Sequence, residues 1–177
     1  SVLLAKYGEP LSFQDRGLCH QLVLGTLRKQ IYLDRLIAVL SKERQVDLEI
    51  RIALRLAIYQ LKFLDRIPDH SAVNESVNLV QRARKSSARP FVNAVLRRLV
   101  REDVEIPFED ELDRVSAETS HPRWLIEKWT ADLGTESAFA LARANNGPPP
   151  PAFRLLGSET HLDTDALKVA HESELVS

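Results

Sequence analysis

Between residues 76 and 101 the chain carries seven cations, Arg82, Arg84, Lys85, Arg89, Arg97, Arg98 and Arg101, and no acidic residue. The next seventeen positions, 102–118, reverse the balance with eight carboxylates and a single cation, Arg114. In a chain of formal net charge −1, a segregated basic run suits a partner with regularly spaced negative charge, and RNA or DNA phosphate fits. The chemistry on offer is electrostatic holding rather than bond-making. Part of the run has a plainer reading, because Arg82, Arg84 and Lys85 fall in the expected last turn of a helix, where cations complement the helix dipole.

Groups able to make or break bonds are sparse. Cys19 adjoins His20, yet neighbours on a helix point in different directions, and a free cysteine is commonly a small buried apolar residue. His20, His70, His121, His161 and His171 form no i, i+4 pair and have no cysteine partner, so no metal site is expected. The acidic run reads as a solvated face whose carboxylates favour a helix amino end. Trp124 and Trp129, in HPRWLIEKW, are expected to pin one helix onto a bundle, with stacking on bases as the alternative.

The elements that must position the basic run are helices. No glycine lies between Thr26 and Leu133, so neither a Walker-type loop nor a dinucleotide fingerprint can be built there. Apolar residues in that span recur at helical spacing. Ser12 is expected to cap a helix with Asp15 as its reciprocal acid, and Leu18, Leu22, Val23 and Leu27 form its expected buried face. A second helix fits YLDRLIAVL through Leu33, Leu36, Ile37 and Leu40. Residues 47–64 are apolar on most sides, as suits a central helix. Pro68 opens the next helix, through Val73, Val77, Val80 and Ala83. Ser87 caps another, with Pro90 in its first turn and Ala88, Phe91, Val92, Val95, Leu96, Leu99 and Val100 as its stripe. That stripe leaves Arg89, Arg97 and Arg101 on the solvent side and Arg98 at its edge. Pro107 begins a short acidic helix ending near Thr119, Pro122 begins another, and a last one covers residues 136–145. ANNGPPPP then stops helix formation and favours an extended connector.

A chain of 177 residues with 44% apolar and 28% charged residues is long enough for one domain with an appendage. A lone cysteine rules out an intramolecular disulfide framework, and no run of about eighteen apolar residues spans a bilayer. A cytoplasmic protein without membrane contact is the expectation. The serine start, the absence of methionine and the helical opening SVLLAKYG suggest a piece of a longer chain.

Two strings carry a resemblance: LRLAIYQLKFLDRIPDHSAVNESVNLVQRA at 54–83 and SSARPFVNAVLRRL at 86–99. They are similar to the NusB-type helical RNA-binding domain. That domain occurs as free antitermination factors and at the front of the RsmB (Sun/Fmu) ribosomal RNA cytosine-C5 methyltransferases. FVNAVLRR, with SHPRWLIEKW followed by ANNGPPPPAFR, more closely resembles the second group, over roughly residues 3–155. The resemblance implies an all-α, NusB-like bundle at 1–104 that lacks its first helix, leaving buried surface exposed or filled by another copy. A helical extension at 105–146, a Pro-rich linker at 147–152 and the truncated start of an α/β domain at 153–177 follow. Arg154-Leu155-Leu156-Gly157 departs from the Arg-x-Asn expected after the prolines.

The resemblance further implies that the full-length enzyme uses S-adenosylmethionine and a cysteine thiolate in a catalytic domain outside this chain. Cys19 matches neither catalytic position, so the chain alone is expected to be inactive, without cofactor or catalytic residue. Its expected partners are ribosomal RNA, met by the seven cations named above, and its own C-terminal catalytic domain. A NusB-like antitermination factor without enzymatic activity is the alternative, and an interaction scaffold a third reading.

Overall fold

The computed structural model describes residues 2–147. These form α1 (Val2–Gly8), α2 (Phe13–Arg28), α3 (Gln30–Ser41), α4 (Leu48–Phe63), α5 (Asp69–Arg82), a 3-10 turn (Ser86–Ala88), α6 (Arg89–Arg101), α7 (Glu111–Thr119), α8 (Arg123–Leu133) and α9 (Thr135–Ala144). No strand occurs among the described residues, which form an all-α fold. The expected Pro-rich run from Pro148 and the expected α/β start at 153–177 lie outside the described residues.

Helix α4 is the centre of the larger core, packed against α2, α3, α5 and α6. Leu54, Ala57 and Ile58 are fully buried along it, which is why its sequence is apolar on most sides. Each neighbour turns one stripe inward: Leu33, Leu36, Ile37 and Leu40 from α3, Val73 and Val80 from α5, and Val92, Val95, Leu96 and Leu99 from α6. Truncating a fully buried leucine such as Leu54 to alanine typically costs about 2 to 5 kcal/mol. Arg55 Nε and Nη2 donate to Asp34 at 2.7 and 2.6 Å, locking α4 to α3 at the core's edge.

A smaller core, Val115, Ile126, Ala138, Phe139 and Ala142, joins α7, α8 and α9. Its seam with the bundle is polar. Buried Asp113 pairs with Arg35 and accepts the Glu109 N–H at 3.2 Å. Lys29 Nζ donates to the Glu118 carbonyl at 3.2 Å, and the Tyr32 N–H donates to Ser120 Oγ at 3.3 Å.

Several expected details differ. Ser12 does cap α2, accepting the Asp15 N–H at 3.1 Å. However, Leu18 and Leu27 are exposed and Leu22 and Val23 half-buried, while Gly25 and Thr26 are the buried residues of α2. The cause is the crossing with α4. A Cβ on Gly25 would lie 2.1 Å from Tyr59 Cζ and Oη, so the helices approach on the small face and the leucines rotate away. Helix α6 begins after the 3-10 turn with no side-chain cap, so Ser87 does not cap it, and Val100 at its end is exposed. Helix α7 begins at Glu111 rather than Pro107, because Asp110 Oδ1 accepts the Asp113 N–H at 2.7 Å and sets the cap there.

The crossing gives a direct test by urea unfolding. Gly25→Ala is expected to destabilise the chain by about 1 to 3 kcal/mol, an overpacking cost. Gly17→Ala, in the same helix with nothing within 4 Å of the added Cβ, is expected to stabilise it by about 0.5 to 1 kcal/mol.

Candidate functional site

The seven cations divide by their surroundings. Arg82 ends α5, and Arg84 and Lys85 form its exit, with the Arg84 N–H bonded to the Gln81 carbonyl and the Lys85 N–H to the Val80 carbonyl, each at 3.0 Å. This is a Schellman ending, and Arg84 occupies its left-handed position at φ 59°. Arg89 opens α6, and Arg97 lies on its solvent side. Arg82, Arg84, Arg89 and Arg97 are exposed and have no side-chain partner among the described residues. Arg101 is also exposed and bonds through Nε to the Arg97 carbonyl at 3.2 Å.

Lys85 and Arg98 are committed elsewhere. Lys85 Nζ lies 2.6 Å from Asp47 Oδ2 and 3.9 Å from Glu49 Oε2, at the start of α4. The hydrogen bond to Asp47 raises its pKa. Arg98 Nε meets Glu102 Oε2 at 2.7 Å, while Nη1 donates to the Val39 and Leu40 carbonyls at 3.5 and 3.4 Å, covering the C-terminus of α3. The absence of acids from the basic run therefore does not mean absence of counter-charge, since the fold brings Asp47, Glu49 and Glu102 to it from outside.

The acidic run is largely occupied with its own arginines. Arg114 holds Glu111 and Glu118, and Arg123 holds Asp110 and Glu127. Hydrogen bonds from Arg123 and Arg114 hold the carboxyls of Asp110 and Glu111 below their usual range. Of the two tryptophans, Trp129 packs on the smaller core and tilts against His121 at 5.3 Å. Trp124 is 63% exposed, so the expectation of packing fails for it. Cys19 is half-buried and His20 exposed. No group of three or more His, Cys, Asp or Glu side chains suited to a metal ion occurs among the described residues. Among them, no helix is long and apolar enough to cross a membrane.

Two contacts lay outside the reach of sequence reading. The Arg44 guanidinium stands 5.1 Å from the Phe91 ring centroid. Lys42 shares an open cleft of about 490 Å³ with Phe91, Arg98 and Glu102. Both cations belong to the α3–α4 connection, roughly fifty positions from α6, and no local spacing signals the approach.

The division of roles predicts that Arg98→Ala costs about 1 kcal/mol of stability, allowing for partial exposure. Arg97→Ala is expected to stay within about 0.5 kcal/mol. Urea midpoints compare the two. His121 supplies a pH test: burial lowers its pKa, opposed by the hydrogen bond with Thr119. The unfolded chain therefore binds the proton first as pH falls, and stability should decrease on acidification below the usual histidine range. His121→Gln should flatten that slope in urea titrations between about pH 5 and 7.

The model of the NusB family matches residues 3–101. A protein of Bacillus subtilis (strain 168) named probable ribosomal RNA small subunit methyltransferase B is 37% identical over 148 residues, covering 82% of this chain and 33% of its own length. The ribosomal RNA small subunit methyltransferase B of Pseudomonas putida (strain KT2440) is 38% identical over 155 residues, 86% of this chain and 34% of that protein. That of Escherichia coli O9:H4 (strain HS) is 30% identical over 172 residues, 94% and 38% respectively. The chain thus spans about a third of the length of these relatives. A helical bundle centred on α4 and a family match over more than half of the sequence agree: the chain belongs to the NusB family.

Proposed function

We propose that this chain is the RNA-binding N-terminal region of an S-adenosylmethionine-dependent ribosomal RNA cytosine-C5 methyltransferase. One observation carries the reading: Arg82, Arg84, Arg89 and Arg97 are exposed and without side-chain partners around the α5–α6 corner and along α6. Arg84 sits at a left-handed helix ending, as Lys42 and Ser120 do, where a non-glycine residue typically costs about 1 to 2 kcal/mol, so its backbone marks termination and its weight here lies in the exposed, unpartnered guanidinium. Arg89 supports the same view, because a cation at a helix amino end opposes the dipole.

In this reading the four arginines, with Arg101, neutralise phosphates and release counterions, giving affinity with little base reading. Lys85 and Arg98 contribute by fixing the corner and the α3–α6 contact rather than by meeting RNA first. Ile106 and Phe108 pack on the larger core, so residues 1–104 and 105–146 share one compact unit rather than dividing at 104, and in this reading the segment that follows leads to the catalytic domain, the chain's intramolecular partner. S-adenosylmethionine and the catalytic cysteine belong to that domain. Alone, the chain is inactive. An antitermination factor would share residues 3–101, but the similarity to methyltransferases continues through 148 to 172 aligned residues and favours the enzyme reading.

Fluorescence anisotropy with a labelled ribosomal RNA helix tests the surface. Affinity should fall steeply with salt, and Arg97→Ala/Arg101→Ala should weaken it while reducing the salt slope by about two. Arg84→Gly should raise stability by about 1 kcal/mol and lower RNA affinity together. Unchanged affinity in both variants overturns the proposal.

A further inference from the structure

The open cleft of about 490 Å³ lies between the C-terminus of α3 and one side of α6, floored by the buried Leu40 and Val95 and walled by Lys42, Ala94, Arg98 and Glu102. Its one carboxylate is taken, since Glu102 Oε2 lies 2.7 Å from Arg98 Nε. Arg98 also covers the Val39 and Leu40 carbonyls, so the negative end of the α3 dipole is already served by a cation. Lys42 makes no such bond. It is exposed, and its ammonium has no partner among the described residues. Arg44, two positions on, reaches the α6 side and stands 5.1 Å from the Phe91 ring centroid. The ring restrains the guanidinium while its N–H donors meet no oxygen among the described residues.

On α6 the cleft runs directly into the basic face. Ala94 is exposed, and Arg97 and Arg101 stand three and seven residues beyond it, on the same side of the helix. Cations without a carboxylate partner therefore flank the cleft on both banks, and the two banks come from segments far apart in the sequence. Glu43, between Lys42 and Arg44, lines a separate cavity of about 210 Å³ that Arg44 also borders. That cavity mixes Asp34 and Glu43 with Arg44 and Arg51 and so selects neither sign of charge. The cleft does select one. An apolar floor between cationic banks, with its one acid already paired, suits a linear polyanion whose phosphates meet the banks. An acidic peptide carries the same sign of charge, but the continuity of the cleft with the α6 arginines favours RNA.

We infer that this cleft is a channel for the RNA backbone, in which phosphates pass Lys42 and Arg44 on one bank and Arg97 and Arg101 on the other. The inference rests on the RNA-binding reading of α5 and α6 and adds two contacts from outside the basic run. Two measurements on the full chain test it. In the first, lysine acetylation read by mass spectrometry, saturating ribosomal RNA helix should abolish labelling of Lys42 and leave Lys62, exposed at the opposite end of α4, as reactive as before. In the second, anisotropy with the same labelled RNA, Lys42→Gly should weaken binding and reduce the salt slope by about one, Lys42→Arg should restore both, and Lys62→Ala should change neither. Glycine suits the left-handed backbone at Lys42, so the variant keeps its fold. Labelling of Lys42 unaffected by RNA, or a Lys42→Gly variant that binds as Lys62→Ala does, overturns the inference. So does a labelled hexaglutamate peptide that binds more tightly than the RNA and is released by Lys42→Gly, which would make the cleft a seat for an acidic protein segment. If Arg97→Ala/Arg101→Ala still weakens RNA binding when the inference fails, the α5–α6 reading survives; if it does not, both fall.

Discussion

The constraint on which the structure depends is that α4 must be dry on most of its surface. A sixteen-residue helix with Leu54, Ala57 and Ile58 fully buried cannot stand with one or two neighbours, so α2, α3, α5 and α6 are each drawn to it by a single stripe. That arrangement decides which sides of α5 and α6 remain wet. Once Val80, Val92, Leu96 and Leu99 are committed to α4, the arginines on the opposite faces have nowhere to go except solvent. The basic surface is therefore a geometric consequence of the core, and its position is as well determined as the core itself.

The glycine-free span from Thr26 to Leu133 has a second consequence. Helices α3, α5 and α7 all end in left-handed residues, Lys42, Arg84 and Ser120, where glycine would be easiest. Each ending is closed by backbone bonds reaching five residues back: Glu43 to Ala38, Lys85 to Val80 and His121 to Ser116. Of the four left-handed non-glycine residues among those described, Lys42 and Arg84 are cations while Glu43 and Ser120 are not, and Arg98 adds a guanidinium to the carbonyls of Val39 and Leu40. Positive charge at helix carboxyl ends compensates part of the backbone strain through the dipole. The same side chains therefore serve helix termination and surface potential, which is why the charge pattern alone could not separate the two roles.

Much of the bundle was legible in the sequence because its signal is local. The stripes of α3 and α6 and the Ser12 cap depend on residues three or four apart, and these held except at Val100 and Ser87. The face of α2 was misread because leucine content points one way while the α4 crossing is governed by Gly25, whose lack of a side chain matters only beside Tyr59, thirty-four positions later. The start of α7 was misread because Pro107 is a general opening signal, whereas the Asp110 carboxylate provides the specific cap. The commitment of Lys85 and Arg98 was equally out of reach, since Asp47 and the α3 carbonyls approach only after α3 and α4 fold against α5 and α6.

The two charged runs finally differ in how they are neutralised. Arg114 bridges two carboxylates and Arg123 three within or near their own helices, so the acidic segment closes its electrostatics locally and its polar seam with the bundle is held by Arg35, Lys29 and Ser120. Such exposed pairs are individually weak, but they leave few carboxylates free to reach across to α5 and α6. The basic run has no equivalent. Its partners Asp47, Glu49 and Glu102 satisfy two of seven cations, and the remaining positive potential extends into solvent over about one Debye length, 8 to 10 Å at moderate salt. In the proposed RNA-binding role, an RNA approaching this end of the bundle would meet an unbalanced field, while one approaching α7 and α8 would meet charges already paired, and that asymmetry would orient the RNA before any base is read.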